Sequence, residues 1–298
     1  MLLGVAVLWG VAFVPQKIAS QHISAFAFTG IRFLVGAFLL SPWVWAAWRR
    51  RVQQTPLMDV QDFRSVALMG TLLFSGVAIQ QFAVGYTSVT NAGFITGLYV
   101  PLVPLLAYVL YRRKPGKGVL PAATLCVVGI ALLTSHASES GLPALPQLNW
   151  GDILILLTVL PFTLHVLWIG SVAERIHEPL LLAFGQFLIC GVAASACALW
   201  FESISWSAIQ TAFWPLAWTS IGSVTLGFTG QAIGQRYARP AEAAIILSAE
   251  TLFAALAGAF WLGERLSVWG YLGGALIFAS IIWVQRVPED ASSTPANH

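Results

Sequence analysis

The sequence is poor in charge. Of its 298 residues only 9% are Asp, Glu, Lys or Arg and 58% are hydrophobic, whereas soluble domains carry roughly 25% charged residues. That shortage excludes water as the solvent for most of the surface. Cysteine is scarce as well. Cys126, Cys190 and Cys197 all sit inside apolar runs, where no metal spacing and no loop disulfide can be made from them. Catalytic signatures are missing: there is no H-E-x-x-H, no G-x-S-x-G, no Walker sequence and no paired Asp motif. Without a nucleotide site, any work against a gradient has to draw on the substrate's own gradient or on an ion, and the chain is not expected to be an enzyme or to hold a cofactor or metal. The stretch from Met1 to Val14 lacks the basic n-region and the small-residue cleavage pattern of a secretory signal before Lys17. It reads as a retained first helix.

Long apolar runs are what the chain does have. A spanning helix needs about 20 mostly apolar residues, and runs of that kind fall near 2–20, 25–47, 65–85, 91–111, 118–135, 151–171, 180–200, 213–233, 241–262 and 267–285. The sequence therefore predicts an all-α polytopic membrane protein with ten transmembrane helices in a lipid bilayer. The segment 288–298 is rich in Ser, Pro, Asp and Asn without apolar periodicity and is expected to be disordered.

The net charge of +3 and pI near 8.9 do not point to nucleic acid, because the basic residues form short clusters between apolar runs. Lys and Arg accumulate in cytoplasmic loops. With the amino terminus inside, twelve of the fifteen basic residues fall on the cytoplasmic side: Arg49, Arg50, Arg51, Arg64, Arg112, Arg113, Lys114, Lys117, Arg175, Arg236, Arg239 and Arg286. Only Lys17 and Arg265 fall outside, and Arg32 lies within the second span. Adding or removing one span spoils the alternation, so both termini are expected in the cytoplasm; the inner membrane as location is what the likeness to bacterial exporters given below implies.

An internal repeat is faintly visible. A shift of 151 residues superposes Gly76 on Gly227, Gln80 on Gln231, Tyr86 on Tyr237, Ala92 on Ala243 and Ile95 on Ile246. Each window has a polar helix end, a very short turn through Tyr and an apolar helix that begins with small residues. Two five-helix halves, 1–140 and 141–287, are the expected architecture, inverted relative to each other because five is odd, around a central cavity.

Trp9-Gly10 with Phe13-Val14, Ile31-Arg32-Phe33, Tyr86-Thr87-Ser88 and Leu262-Gly263-Glu264-Arg265-Leu266 resemble the drug/metabolite transporter superfamily, and within it the ten-helix EamA-type exporters. The pattern covers nearly the whole chain. The first half departs from it, with Leu110-Tyr111-Arg112-Arg113-Lys114 where the family often repeats the Gly-Glu-Arg motif. The resemblance implies two halves packed pseudo-symmetrically about a cavity and alternating their access to the two sides. It is nearest to bacterial amino-acid exporters, including those for aromatic amino acids. Drug and nucleotide-sugar carriers belong to the same superfamily. A membrane-embedded enzyme is the alternative from another class.

Polar groups inside a span point to the pathway, since they must be satisfied by protein or by a water-filled cavity. The third span carries Gln80 and the eighth Gln231, either lining the cavity or joining neighbouring helices. Tyr99 and Glu250 are equivalent under the 151-residue shift. A mid-membrane carboxyl needs a reason: Glu250 contacts a substrate ammonium, exchanges H⁺ as a coupling ion, or is a structural carboxyl. His165 and Trp168 share one face of the sixth span and offer a ring and two N–H groups to a small-molecule substrate, or simply pack. Trp9 is a further stacking candidate. Arg32 is expected to snorkel to an interface in a structural role. Prolines 101, 104 and 161 free backbone carbonyls and give places to bend. Monomer and dimer both fit.

Overall fold

The computed structural model describes residues 1–52, 59–112, 115–116, 118–137, 143–144 and 148–286. The 288–298 segment expected to be disordered lies outside the described residues. The helices, in chain order, are α1 (Leu2–Ala19), α2 (Ala25–Val52), α3 (Val60–Val84), α4 (Val89–Thr96), α5 (Tyr99–Tyr111), α6 (Val119–Thr134), α7 (Trp150–Ile176), α8 (Pro179–Phe201), α9 (Trp206–Thr211), α10 (Phe213–Trp218), a π-helix (Thr219–Phe228), α11 (Thr229–Gln235), α12 (Pro240–Leu247), α13 (Ala249–Leu262) and α14 (Val268–Arg286). A two-residue ladder, His136–Ala137 against Pro143–Ala144, is the extent of β structure among the described residues.

These elements make ten membrane-crossing segments. Eight runs are long and apolar enough to span by themselves, counting α4–α5 and α12–α13 as one run each. The fifth crossing, α6, has 16 residues, about 24 Å of helix. The remaining crossing is the uninterrupted succession α10, π-helix, α11. Large apolar side chains stand on the outer surface, among them Phe38, Leu199, Trp200, Phe260 and Val268, each at least three-quarters exposed. Water would penalise such a surface and hydrocarbon does not.

Local chemistry sets the helix ends. Asp59 with Asp62 and Asn149 with Asp152 form reciprocal capping boxes that start α3 and α7. Pro179 and Pro240 occupy the first turns of α8 and α12, where no backbone donor is lost. Two starts are capped from far away in sequence: Glu202 accepts from Phe26 N (2.9 Å) and Ala27 N (2.8 Å) of α2, and Glu264 accepts from Val89 N (2.9 Å) and Thr90 N (3.0 Å) of α4. A carboxylate at a helix N-terminus satisfies orphan donors and complements the dipole. Gly263, at φ +69°, ends α13 in the left-handed conformation that suits glycine and turns Glu264 back toward α4.

One end of the bundle, where α1 finishes, is stitched by such bonds. Lys17 Nζ donates to the carbonyls of Val84, Gly85 and Thr87 in the α3–α4 turn at 3.0, 3.0 and 2.8 Å. The Thr87 hydroxyl bonds Asp152 at the start of α7, and Ser267 Oγ donates to Ser135 O at 2.6 Å. At the opposite end, Arg175 on α7 pairs with Asp62 on α3 at 3.1 Å.

Two crossings are discontinuous, and at matching places. The fourth breaks at Gly97–Leu98 between α4 and α5, and the ninth at Ser248 between α12 and α13; 97 and 248 differ by the same 151 residues as the repeat. In both, one tightened turn carries the chain across: Val100 N bonds Gly97 O at 3.1 Å and Thr251 N bonds Ser248 O at 3.0 Å. The two breaks face each other, because a Cβ built at Gly97 would lie 2.9 Å from Thr251 Oγ1. α4 packs on α13 and α5 on α12, so the broken crossings meet at their middles.

Candidate functional site

A cleft of about 560 Å³, counting its mouth, opens where the two breaks meet. Six of the residues expected at a site line it together: Trp9 from α1, Gln80 from α3, Tyr99 from the first turn of α5, His165 from α7, Gln231 from α11 and Glu250 from the first turn of α13. Trp168 is directed elsewhere. Its indole donates to the Tyr111 hydroxyl at 2.5 Å, tying α7 to α5 away from the cavity, so its place on the face of His165 does not bring it to the cleft.

Each of the six is held by its own neighbours. Trp9 Nε1 donates to Ser223 O on the π-helix at 3.1 Å, and its ring tilts against Phe228 with centroids 4.7 Å apart. Gln80 Nε2 donates to Thr96 Oγ1 at 3.0 Å. His165 Nε2 lies 2.9 Å from Gln186 Oε1 on α8. Gln231 Nε2 donates to Gln235 Oε1 at 2.8 Å, and Gln235 Nε2 reaches Val166 O on α7 at 2.8 Å. Tyr99 and Glu250, 3% and 4% exposed, put hydroxyl and carboxyl beside each other. The hydroxyl nevertheless makes no aligned hydrogen bond, and Gln231 Oε1 is equally without a partner. Buried polar atoms are nearly always bonded. The Tyr99 hydroxyl and Gln231 Oε1 are thus two unpaired polar atoms beside one cleft.

Helices interrupted at mid-membrane, with polar side chains in the turn after each interruption, are how secondary transporters build binding sites. The sequence comparisons agree with that geometry. The model of the EamA-like transporter family matches twice, over residues 1–135 and 149–286. The chain belongs to the EamA-like transporter family. An uncharacterized transporter of Archaeoglobus fulgidus is 29% identical over 280 residues, covering 94% of this chain and 83% of its own length. The uncharacterized transporter YwfM of Bacillus subtilis is 25% identical over 297 residues, covering 98% and 95%. A solved crystal structure superposes with a TM-score of 0.72 at 16% identity, over 95% of this chain and 94% of that one, and shares the fold.

In this EamA-like transporter Arg32, like Trp168, departs from expectation. Arg32 does not reach an interface: it is 2% exposed and lines the cleft together with Gln16. Its Nη1 donates to Gln16 Oε1 at 3.1 Å, and its guanidinium stands 5.3 Å from the Phe28 ring centroid and 5.4 Å from that of Phe33. A snorkelling side chain needs a path to water, and here the stripe Phe28, Phe33, Ala37, Leu40 and Val44 that α2 buries runs past position 32. Holding a guanidinium at this depth costs about 2.5 to 3.5 kcal/mol unless it is compensated. Phe13, Thr96, Phe162, Ser223 and Phe228 also line the cleft; as apolar or small polar residues among many, they carry no sequence signal of their own. No group of three or more metal-ligating side chains occurs among the described residues.

Proposed function

We propose that this chain is a secondary transporter that exports small amine-bearing metabolites, amino acids foremost and aromatic ones among them, across the bacterial inner membrane by alternating access. The observation that carries the reading is the meeting of the two helix breaks at a cleft holding Glu250, 4% exposed, beside Tyr99. A carboxyl at this depth, facing a cleft rather than a fixed cation, suits an ammonium group or a transferable proton. The rings of Trp9, Phe162 and Phe228 offer apolar surface to a side chain. Two inverted five-span halves, joined where α6 leads into α7, rock about the breaks, and H⁺ is the coupling ion. Both termini lie in the cytoplasm, as the twelve clustered basic residues favour, and the end stitched by Lys17, Asp152 and Glu264 is then the outer gate. The transporter performs no bond chemistry of its own.

A nucleotide-sugar carrier needs several cations for its phosphates. The cleft supplies one guanidinium against one carboxyl, which favours a singly charged or zwitterionic substrate. The test is uptake into proteoliposomes of purified protein, using radiolabelled aromatic, aliphatic and basic amino acids with and without an imposed pH gradient. Saturable uptake stimulated by the gradient is the expected result. Uptake of none of the panel by protein that remains folded overturns the amino-acid assignment.

A further inference from the structure

We propose that Arg32, oriented by Gln16, is the carboxylate anchor of the cleft, so that the substrate carries a carboxylate as well as an amine. This rests on the transporter reading above and specifies the half of the substrate that Glu250 does not address. A guanidinium has five N–H donors in a planar fork. In Arg32 one of them is used, by Nη1 to Gln16 Oε1 at 3.1 Å, while Nε has no partner although the residue is 2% exposed. The two ion pairs among the described residues are Arg175 with Asp62 and Arg239 with Glu242, so no carboxylate of the chain neutralises Arg32 there.

The fork is also held in place. The rings of Phe28 and Phe33 pack against the guanidinium. Gln16 Nε2 donates to Ala12 O at 3.1 Å, which leaves Oε1 to turn toward Arg32, and the Gln16 carbonyl accepts Gln81 Nε2 at 3.1 Å. An oriented cation with free in-plane donors and no anion beside it matches an incoming carboxylate, which such a fork binds through two parallel bonds. Glu250 in the same cleft weighs against a phosphate dianion, because it would add a third negative charge opposite a single cation.

The test uses the full-length protein purified in detergent, with 3-phenylpropionate, 3-phenylpropionamide and inorganic phosphate as probes, and follows thermal unfolding and tryptophan fluorescence. The acid is expected to bind the wild type about tenfold or more tightly than the amide, and Arg32→Gln is expected to abolish that preference. Gln16→Glu places a carboxylate against the guanidinium within the chain; it is expected to stay folded and to lose acid binding, which keeps the test decisive if Arg32→Gln does not fold. Equal binding of acid and amide, undiminished acid binding in Gln16→Glu, or tighter binding of phosphate than of the acid each overturns the anchor. Acid binding that depends on Arg32, without uptake of any amino acid into proteoliposomes, leaves the anchor standing and removes the amino-acid assignment. Amino-acid uptake by Arg32→Gln proteoliposomes that still discriminates acid from amide removes the anchor and leaves the transporter.

Discussion

The third and eighth crossings occupy equivalent places in the two halves, yet their backbones differ. α3 runs as one α-helix from Val60 to Val84, whereas its counterpart passes from α10 into ten residues of π-helix and then into α11. Both bring a glutamine to the cleft at matching positions, Gln80 and Gln231, and both set a glycine under an aromatic ring. A Cβ at Gly76 would lie 2.5 Å from Phe162 Cε1, and one at Gly227 would lie 2.5 Å from Trp9 Nε1. The hydroxyls follow the backbone. Thr71 and Ser75 bond carbonyls four residues back in α3, while Thr225 bonds Ser220 O, five residues back, at 2.7 Å. π-Helices are rare and concentrate at functional sites. The difference teaches that positions 151 residues apart meet at one cleft without being copies of each other: Glu250 stands at the place of Tyr99, and a π-helix at the place of an α-helix.

The largest effect is expected where the halves differ in charge. Glu250→Gln should lower transport about 10- to 150-fold, the scale of a lost charge-assisted hydrogen bond, whereas Tyr99→Phe should cost about 2- to 10-fold, the scale of a neutral one. With Glu250 as the proton carrier, Glu250→Gln also flattens the dependence of transport on pH between about 5 and 8. Initial-rate uptake by both variants over that range checks this. Equal losses would mean that the two halves are chemically interchangeable, and a pH profile unchanged in Glu250→Gln would remove the proton role. Tyr99→Ala, which also takes away the ring, should weaken substrate binding further, seen as a raised KM.

Next in size are the paired glycines. A methyl group at Gly227 must push aside an indole that is pinned by its bond to Ser223 O, and one at Gly76 meets a phenyl ring with no such bond. Overpacking costs typically about 1–3 kcal/mol, so both substitutions destabilise, and Gly227→Ala should lower the unfolding temperature more than Gly76→Ala. The reverse order would show that the π-helix yields more easily than α3.

How much of this was legible in the sequence depends on what each feature needs. The ten runs were, because span length and apolarity are properties of single segments: α1, α8 and α14 begin and end within one or two residues of the predicted limits. Leu262-Gly263-Glu264-Arg265-Leu266 was visible as a family motif, and the structure gives its physics, a left-handed glycine that returns a carboxylate to cap α4. The break in the fourth crossing had a local sign, since Pro101 cannot donate to the Gly97 carbonyl that would be its helical partner. Its mate in the ninth has no proline. There Ser248 Oγ donates to Ile245 O at 2.5 Å and lies 3.0 Å from Cys126 Sγ on α6, a tertiary arrangement that sequence spacing does not encode. Arg32 was misread for the same reason: its depth could be counted, but the direction it faces depends on which stripe of α2 the neighbours cover. The π-helix, too, receives a bond that spacing does not encode, from Trp9, 214 residues away from Ser223 in the chain.

The bonds made by the π-helix set the two smallest effects. Trp9→Phe keeps a ring over Gly227 and removes the donor to Ser223 O, a loss of about 0.5–1.5 kcal/mol. Amide hydrogen exchange should quicken across 219–228 and stay unchanged in α3, whose counterpart ring, Phe162, has no donor to lose. Thr225→Val removes the bond to Ser220 O and should act in the same direction more weakly, because a threonine hydroxyl bonding back into its own helix adds little net stability. A graded quickening confined to the π-helix, greater in Trp9→Phe than in Thr225→Val, means that tertiary contact with α1 holds the π geometry. Equal quickening in α3 would mean that the variants loosen the whole bundle and that the two crossings do not differ in what maintains them.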